Sequence, residues 1–520
     1  MQPKKIGDGG ASISIRIENL IASSIMEKLE ICAPSVRCSI HRVPERFHIM
    51  RKPSAYKPEA VSIGPYHRAN QSLKATEDLK LLYAHKLLTI RAGRESSELY
   101  PQTVEEEEEE EEIRTIKLDS SETLVATQAW FAIVEKCASS VREMETETRK
   151  CYSEPVGLDS KEFVEMMIID GLFIIKMLIR STLRSYDIAD DPLDGNDWLV
   201  MMVQQDMFLL ENQIPLFVLQ CLANIVFSAD EFMSLNKVIH TFITTINLQL
   251  ILPTNRYIPL EEHPNPCEHA KHLLDFLIIL IQPPPHIDSA SSRKTVQVLT
   301  KLKTNTVVKF TISLYSKLKR TCITDEEREN PSVTSSHFLP SATELSLAGV
   351  GFKKGSAQGS FLDIKFSRRT GILEIPPLCI YDETDPLLRN LIACEQSYGG
   401  GYHITSYVSM MDFLINSADD VKLLRKQGII SNYLGCDEDV SDMFNKLCVG
   451  IILGGPYYSK YINDINEFYK KRRNIWKATL KREYFKSPWA IVSVLAAILL
   501  IALTIISTVF GILSFVIHKS

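Results

Sequence analysis

FVEMMIIDGLFIIKMLI, residues 163–179, is apolar on nearly every side of a helix yet carries Glu165, Asp170 and Lys176. Charges are rare in lipid, so three of them mark this stretch as a core helix of a folded body rather than a membrane span. The next apolar run, WLVMMVQQDMFLLENQIPLFVLQCL at 198–222, reads the same way, with Pro215 placed to bend or restart it. HLLDFLIILIQPPP is a third such helix, stopped by Pro283 to Pro285. Together they predict a mainly α fold with a large helical globular body.

Toward the N-terminus, the segment 41–68, HRVPERFHIMRKPSAYKPEAVSIGPYHR, is dense in proline and lacks helical periodicity, so it should be an irregular strap lying on the body. Helix resumes at LKATEDLKLLYAHKLLTI. Before the strap, Ile17, Leu20, Ile21, Ile25 and Leu29 recur at helical spacing, which predicts a docked amphipathic helix in a leader of about 35 residues. The unbroken glutamates Glu105 to Glu112 repel one another and read as a solvated loop.

Toward the C-terminus, a polar stretch at 286–335 reads as a long insertion. The texture then changes: Leu362, Ile364 and Phe366 alternate, SRRTG supplies a turn, and GILEIPPL follows, predicting a small β-hairpin. Helices return at PLLRNLIACEQS, YVSMMDFLINS, DDVKLLRKQG with Gly428 as its stop, and DEDVSDMFNKLC. A further helix is expected through EFYKKRRNIWKATLKREYF.

The chain closes on a different kind of segment. Ala490 to Ile517 contains no formal charge; as a helix it would reach about 42 Å at 1.5 Å per residue, enough to cross a bilayer core with tilt. Ser487 can cap it, Pro488 suits its first position, and Trp489 sits where an amphipathic ring prefers headgroups. Lys470, Lys471, Arg472, Arg473, Lys477, Lys481, Arg482 and Lys486 precede it against the single acid Glu483, so the positive-inside rule places the body in the cytoplasm. The expectation is a single-pass, tail-anchored protein, with the plasma membrane as the expected membrane and the lipid bilayer as a partner. Ser507 and Gly511 form a small-x3-small pair that permits self-association.

Bulk properties fit a folded body carried by such a tail. Hydrophobic residues make up 45% and charged residues 23% of 520 positions, ordinary values for a globular protein. A net charge of −6 gives no footprint for nucleic acid. The N-terminus MQPKKIGDGG shows neither a secretory signal nor a myristoylation glycine. Eleven scattered cysteines, an odd number without a Cys-x-x-Cys pair, suit reduced buried thiols. Asn70-Gln71-Ser72 would be a glycosylation acceptor only in a body facing a lumen or the outside.

Several separated stretches carry a resemblance: HRVPERF with AYKPEAVSIGPYHR, LLENQIPLFVL, PSATELSLAGVGFK, GILEIPPL, RNLIACEQ, DDVKLLRKQGIISNYLG and YFKSPWA before the anchor. In this order they resemble the plant family called domain of unknown function 247, also known as uncharacterised protein family 0481. The resemblance implies a membrane-attached, mainly helical plant protein, with some members tied to self-incompatibility recognition in grasses, and no known reaction. The expected organisation is a leader at 1–35, the family domain at 36–466, a basic juxtamembrane helix at 467–487, a transmembrane helix at 488–517 and a tail at 518–520.

Chemistry has to come from individual residues. Asp170, Asp206 and Glu211 sit in apolar helices, where an isolated charge costs several kcal/mol, so they must be paired or neutralised. Two converging carboxylates can do the acid/base work of a hydrolase; the alternative is that Glu211, Asn212 and Gln213 bond backbone where Pro215 breaks the helix. Arg389, Asn390, Glu395 and Gln396 form a second polar set, read as a buried network in which Arg389 answers a carboxylate. His263, Cys267, His269 and His272 offer zinc-type ligands, but Pro264 and Pro266 stiffen their loop and the spacing is not a standard zinc pattern. Signature motifs for serine hydrolases, P-loops, zincins and dinucleotide binding are absent from the sequence, and no cofactor is expected. A membrane-tethered recognition or signalling protein with a protein partner is the reading preferred, ahead of a carboxylate hydrolase and of a structural membrane scaffold.

Overall fold

The computed structural model describes residues 38–45, 47, 53–99, 111–182, 191–227, 234–246, 266–282, 338–356, 360–398, 401–452, 457–471 and 488–517. The leader, the insertion 286–335, Glu105 to Glu110 and the basic flank from Arg472 to Ser487 lie outside the described residues. The chain is mainly helical and divides into two compact units, one of Met1–Arg42, Ser62–Ile175 and Gln213–Ser228, the other of Val43–Val61, Lys176–Asn212 and Ala229–Ser520. In chain order the helices are α1 (Lys74–Leu99), α2 (Glu111–Glu143), α3 (Glu145–Lys150), α4 (Ser160–Thr182), α5 (Asp197–Asp206), α6 (Leu216–Val226), α7 (Leu235–Thr245), α8 (Pro266–His269), α9 (Leu273–Ile281) and α10 (Ala342–Leu347). Strands β1 (Gly351–Lys354), β2 (Lys365–Ser367), β3 (Ile372–Ile375) and β4 (Leu378–Ile380) come next. Then follow α11 (Thr384–Tyr398), α12 (His403–Leu414), α13 (Ala418–Lys426), β5 (Ile430–Asn432), α14 (Asp437–Leu447), α15 (Ser459–Tyr469) and α16 (Pro488–Ile517).

The first unit packs α1 against α2 and both against α6. Helix α4 runs through the division between units, and its first part belongs here. Gly171 lets α4 approach α6 closely: a Cβ there would lie 2.4 Å from Cδ1 of Leu222. Phe173 on the same helix meets Tyr83 of α1, ring centroids 5.9 Å apart. Such interlocking of fully buried side chains is what the unbroken apolar surface at 163–179 is for.

In the second unit every residue of α9 but Ile279 is buried, and α11 to α14 add core side chains such as Leu391, Tyr407, Leu424 and Phe444. The predicted hairpin is present: β2 and β3 pair antiparallel, Phe366 opposite Leu373, around a turn in which Gly371 has φ +71°. A Cβ at Gly371 would stand 2.3 Å from the ring of Phe468, so α15 packs directly on the turn. The sheet is larger than the hairpin. Strand β1 adds parallel to β3, and β4 pairs in parallel with β5 as a separate two-stranded sheet. Both additions join segments that local alternation cannot connect, because a parallel partner arrives by a crossover.

The run 198–222 restarts at Pro215, one of the two outcomes expected there, but its first helix stops early: α5 ends at Asp206, turns follow it, and Pro215, in extended conformation, precedes the restart at Leu216. Asn212 causes the early stop, since its Nδ2 donates to the Asp206 carbonyl at 3.0 Å and satisfies a helix-end acceptor. The helix through Glu467 starts at Ser459 and ends at Tyr469, with Lys470 as its cap and Lys471 outside it. Gly428, at φ +68°, ends α13 as read from the sequence.

Helix α16 spans thirty residues without a charge. Leu499, Leu500, Ile501, Leu503, Ile505, Ile506, Val509 and Phe510 are all about half exposed or more. The longest run of α16 whose side chains are described is 499–510, and among the fully described residues no helix is long and apolar enough to cross a membrane.

Candidate functional site

A proline-rich strap has backbone amides with no ladder to join, and buried amides must find partners elsewhere. In the second unit they find two of the acids picked out in the sequence. Asp206 accepts from three successive strap amides, Glu59 at 3.1 Å, Ala60 at 2.7 Å and Val61 at 2.8 Å. Successive N–H groups converging on one anion form a nest. The nest offsets the poor position of a carboxylate at a helix C-terminus. Glu211 accepts from the Val43 amide at 2.8 Å. Asn212 donates to the Val61 carbonyl at 3.0 Å. Asn390 donates to the Ala55 carbonyl at 2.7 Å while its Oδ1 takes the Leu210 amide at 2.9 Å. Burial pushes the Asp206 carboxyl up to about 6, the three amide bonds pulling against it.

In the first unit Asp170 is bound differently. Its Oδ1 pairs with Nζ of Lys80 at 2.8 Å, and its Oδ2 accepts from the Gly64 amide at 2.8 Å. Both side chains of the ion pair are 2% exposed, and burial raises the Asp170 carboxyl above its usual range against the pull of Lys80. Gly64 has φ +71°, and a Cβ there would fall 2.7 Å from the Gln213 carbonyl oxygen. That carbonyl also accepts from the Tyr152 hydroxyl at 3.1 Å. The backbone of Gln213 is thus part of the strap's seat.

Sequence reasoning missed Lys80 and Gly64. Lys80 stood within LKLLYAHKLL at helical spacing from Leu73, Ala84 and Leu87, all buried, so its position on the apolar stripe was the available signal. The remaining candidates divide. Arg389, 2% exposed, faces Asp385 at 2.7 Å, at an angle short of a hydrogen bond, rather than Asp170 or Asp206. Glu395 takes the Ile404 and Thr405 amides at the start of α12, at 3.1 and 2.8 Å. Gln396 brackets Ile452 at the surface.

Cys267 and His269 lie on α8, and burial pushes the Cys267 thiol up to about 12. His272 caps α9, its Nδ1 accepting from the Asp275 amide at 3.2 Å. His263 lies outside the described residues, and among these no group of three His, Cys, Asp or Glu could hold a metal. Of the interface residues read from the sequence, Lys470 and Lys471 are exposed; Arg472, Arg473 and Lys486 are outside the described residues, as is the side chain of Trp489. The described cysteines are free thiols.

The first unit also contains a groove of about 990 Å³ between α1, α2 and α4. Leu81, Leu88, Val134, Val164, Ile168 and Leu172 form its apolar walls, and His85, Glu135, Arg142, Lys161 and Glu165 stand at exposed positions along it. Trp130 also lines it, with an enclosed indole nitrogen that has no hydrogen-bond partner.

These features define a mainly helical protein whose irregular strap is tied down by buried carboxylates and amides. The chain belongs to the DUF247 family of plant proteins of unknown function, whose model matches residues 40–127 and 111–503. It is 28% identical over 494 residues to a UPF0481 protein of Arabidopsis thaliana, covering 93% of this chain and 88% of the relative. A putative UPF0481 protein of the same plant is 24% identical over 517 residues, covering 90% and 89%. No solved structure matches.

Proposed function

We propose that this protein is a membrane-tethered recognition or signalling component whose folded body engages a protein partner at the cytoplasmic face of the plasma membrane. The observation that carries the reading is α16. A thirty-residue helix with large apolar side chains exposed at eight positions between Leu499 and Phe510 forfeits burial worth ~1.5–3 kcal/mol for each such residue in water. Lipid removes that cost. Thr504 and Thr508 suit such a setting, because each hydroxyl donates back to the carbonyl four residues earlier, Leu500 and Thr504, at 2.7 Å. The basic run from Lys470 to Lys486 favours a cytoplasmic body. Members linked to self-incompatibility recognition provide the precedent for a partner-binding role.

The carboxylate-hydrolase reading gains nothing from the acids that suggested it. Asp206 and Glu211 hold strap amides, and Asp170 holds Lys80 and Gly64. Proximity labelling from the intact chain and from a copy truncated after Ser487 tests the proposal. Distinct neighbours, with membrane proteins lost from the truncated copy, are expected; identical neighbours would remove tethering from the function.

A further inference from the structure

We infer that the groove between α1, α2 and α4 binds a free long-chain carboxylic acid, its carboxylate at Arg142 and Lys161 and its single tail laid along the helices. A volume of about 990 Å³ falls at the upper end for small-molecule sites, which are mostly apolar with a few placed polar groups. The walls have that composition: Leu81 and Leu88 come from α1, Val134 from α2, and Val164, Ile168 and Leu172 from α4. From Lys161 to Leu172 the groove follows α4 for about 16 Å at 1.5 Å per residue, a length that suits one extended chain.

Charge gives the groove a direction. Glu145, just beyond α2, accepts from the hydroxyl of Ser160, which opens α4, so the end of one helix meets the start of the other. Arg142 and Lys161, both exposed, therefore stand at the same end of the groove. Neither side chain makes a hydrogen bond or ion pair with a described residue. The acid beside Arg142, Glu145, is already held by Arg149 and by the Ser160 hydroxyl. Two cations are thus left to receive an anionic head. Rings close the other end: Trp130 lies more than three turns before Arg142 on α2, about 18 Å away at 1.5 Å per residue, and its ring centroid is 6.3 Å from that of His85 on α1. Glu135 and Glu165 stand between the two ends, so an anion is favoured only at Arg142 and Lys161. One run of apolar wall accommodates one tail, which favours a free acid over a two-tailed phospholipid.

Photolabelling of the full-length chain in phosphatidylcholine nanodiscs with a diazirine-bearing palmitic acid tests this. The label should map to 81–88, 130–142 or 161–172. Excess palmitate should displace it, and hexadecanol, which enters the bilayer but carries no charge, should need about tenfold more, the worth of two exposed ionic contacts. Arg142→Gln with Lys161→Gln should raise the palmitate needed for half displacement by the same factor of about ten, with the urea midpoint unchanged. Leu81→Asp, at a position 51% exposed, should lose the label, whereas Phe131→Asp, exposed and not part of the lining, should keep it. An unlabelled groove, equal displacement by hexadecanol, or unchanged half displacement in the double variant would each overturn the inference. Equal labelling of the same peptides by a diazirine-bearing phosphatidylcholine would assign the groove to bilayer lipid and overturn it too.

Discussion

Replacing Asp206 by alanine removes the acceptor of three strap amides at once. Two of them, Ala60 and Val61, are buried, and a buried donor left unsatisfied costs about 1–3 kcal/mol, so the pair alone predicts a loss of ~2–6 kcal/mol. Against a total stability of about 5–15 kcal/mol that is a large fraction. Asp206→Asn separates hydrogen bonding from charge. Its oxygen can occupy the place of Oδ2, which accepts from Ala60 and Val61, while its Nδ2 confronts the Glu59 amide now shared with Oδ1. A loss of about 1–2 kcal/mol follows at acid pH.

The pH dependence has a definite sign. A carboxyl raised from 3.8 to about 6 in the folded state binds its proton more tightly there than in the unfolded chain. Its contribution is therefore fully present below about 4 and declines as pH rises through about 6, by ~3 kcal/mol at most. The penalty of Asp206→Asn should shrink by about 2 kcal/mol between pH 4.5 and 7.5. Urea unfolding at the two pH values measures it, and hydrogen exchange at residues 59–61 localises it. An Asp206→Ala protein within about 1 kcal/mol of the parent, with unchanged exchange at 59–61, would refute the latch.

Further expectations concern the other seats. Lys80→Met leaves Asp170 buried without its cation and should cost about 3–5 kcal/mol, whereas Lys80→Met with Asp170→Asn should recover much of that; a double-mutant cycle in urea measures the coupling. Gly64→Ala should destabilise by about 1–3 kcal/mol through its positive φ and the approach to the Gln213 carbonyl, read as a lowered urea midpoint. Asp420 behaves oppositely to Asp206. Burial raises its carboxyl, but hydrogen bonds from Thr343, Ser417 and Ser341 outweigh that and hold it below the ordinary value. Its contribution is present above pH 4 and lost on acidification, so the cost of Asp420→Asn should diminish as pH falls below 4, as followed by thermal melts.

Much of the helical framework was legible because periodicity and punctuation are local. The apolar face at 163–179, the stop at Gly428 and the turn before Ile372 each declare themselves within a few residues. The partners of the buried acids were not legible. Asp206 meets Glu59 to Val61, and Asn390 meets Ala55 and Leu210, across long stretches of chain. Burial of Asp170, Asp206 and Glu211 could be read from their apolar neighbours, and so could their need for partners. That the partners would be backbone amides of a proline-rich segment follows only once that segment is seen to lack a ladder. The parallel pairing of β1 with β3 escaped for the same reason of distance, and the early end of α5 depended on one side chain, Asn212.

Tethering through α16 with the body on the cytoplasmic side is the claim on which the functional reading stands. Protease treatment of sealed vesicles carrying the chain with a tag at each end tests it directly. The N-terminal tag should be digested, the C-terminal tag protected, and Asn70, exposed as the cap of the short turn Gln71–Leu73 that precedes α1, free of sugar. A protected N-terminal tag with glycan on Asn70 would contradict it, as would release of the intact chain from membranes by alkaline carbonate.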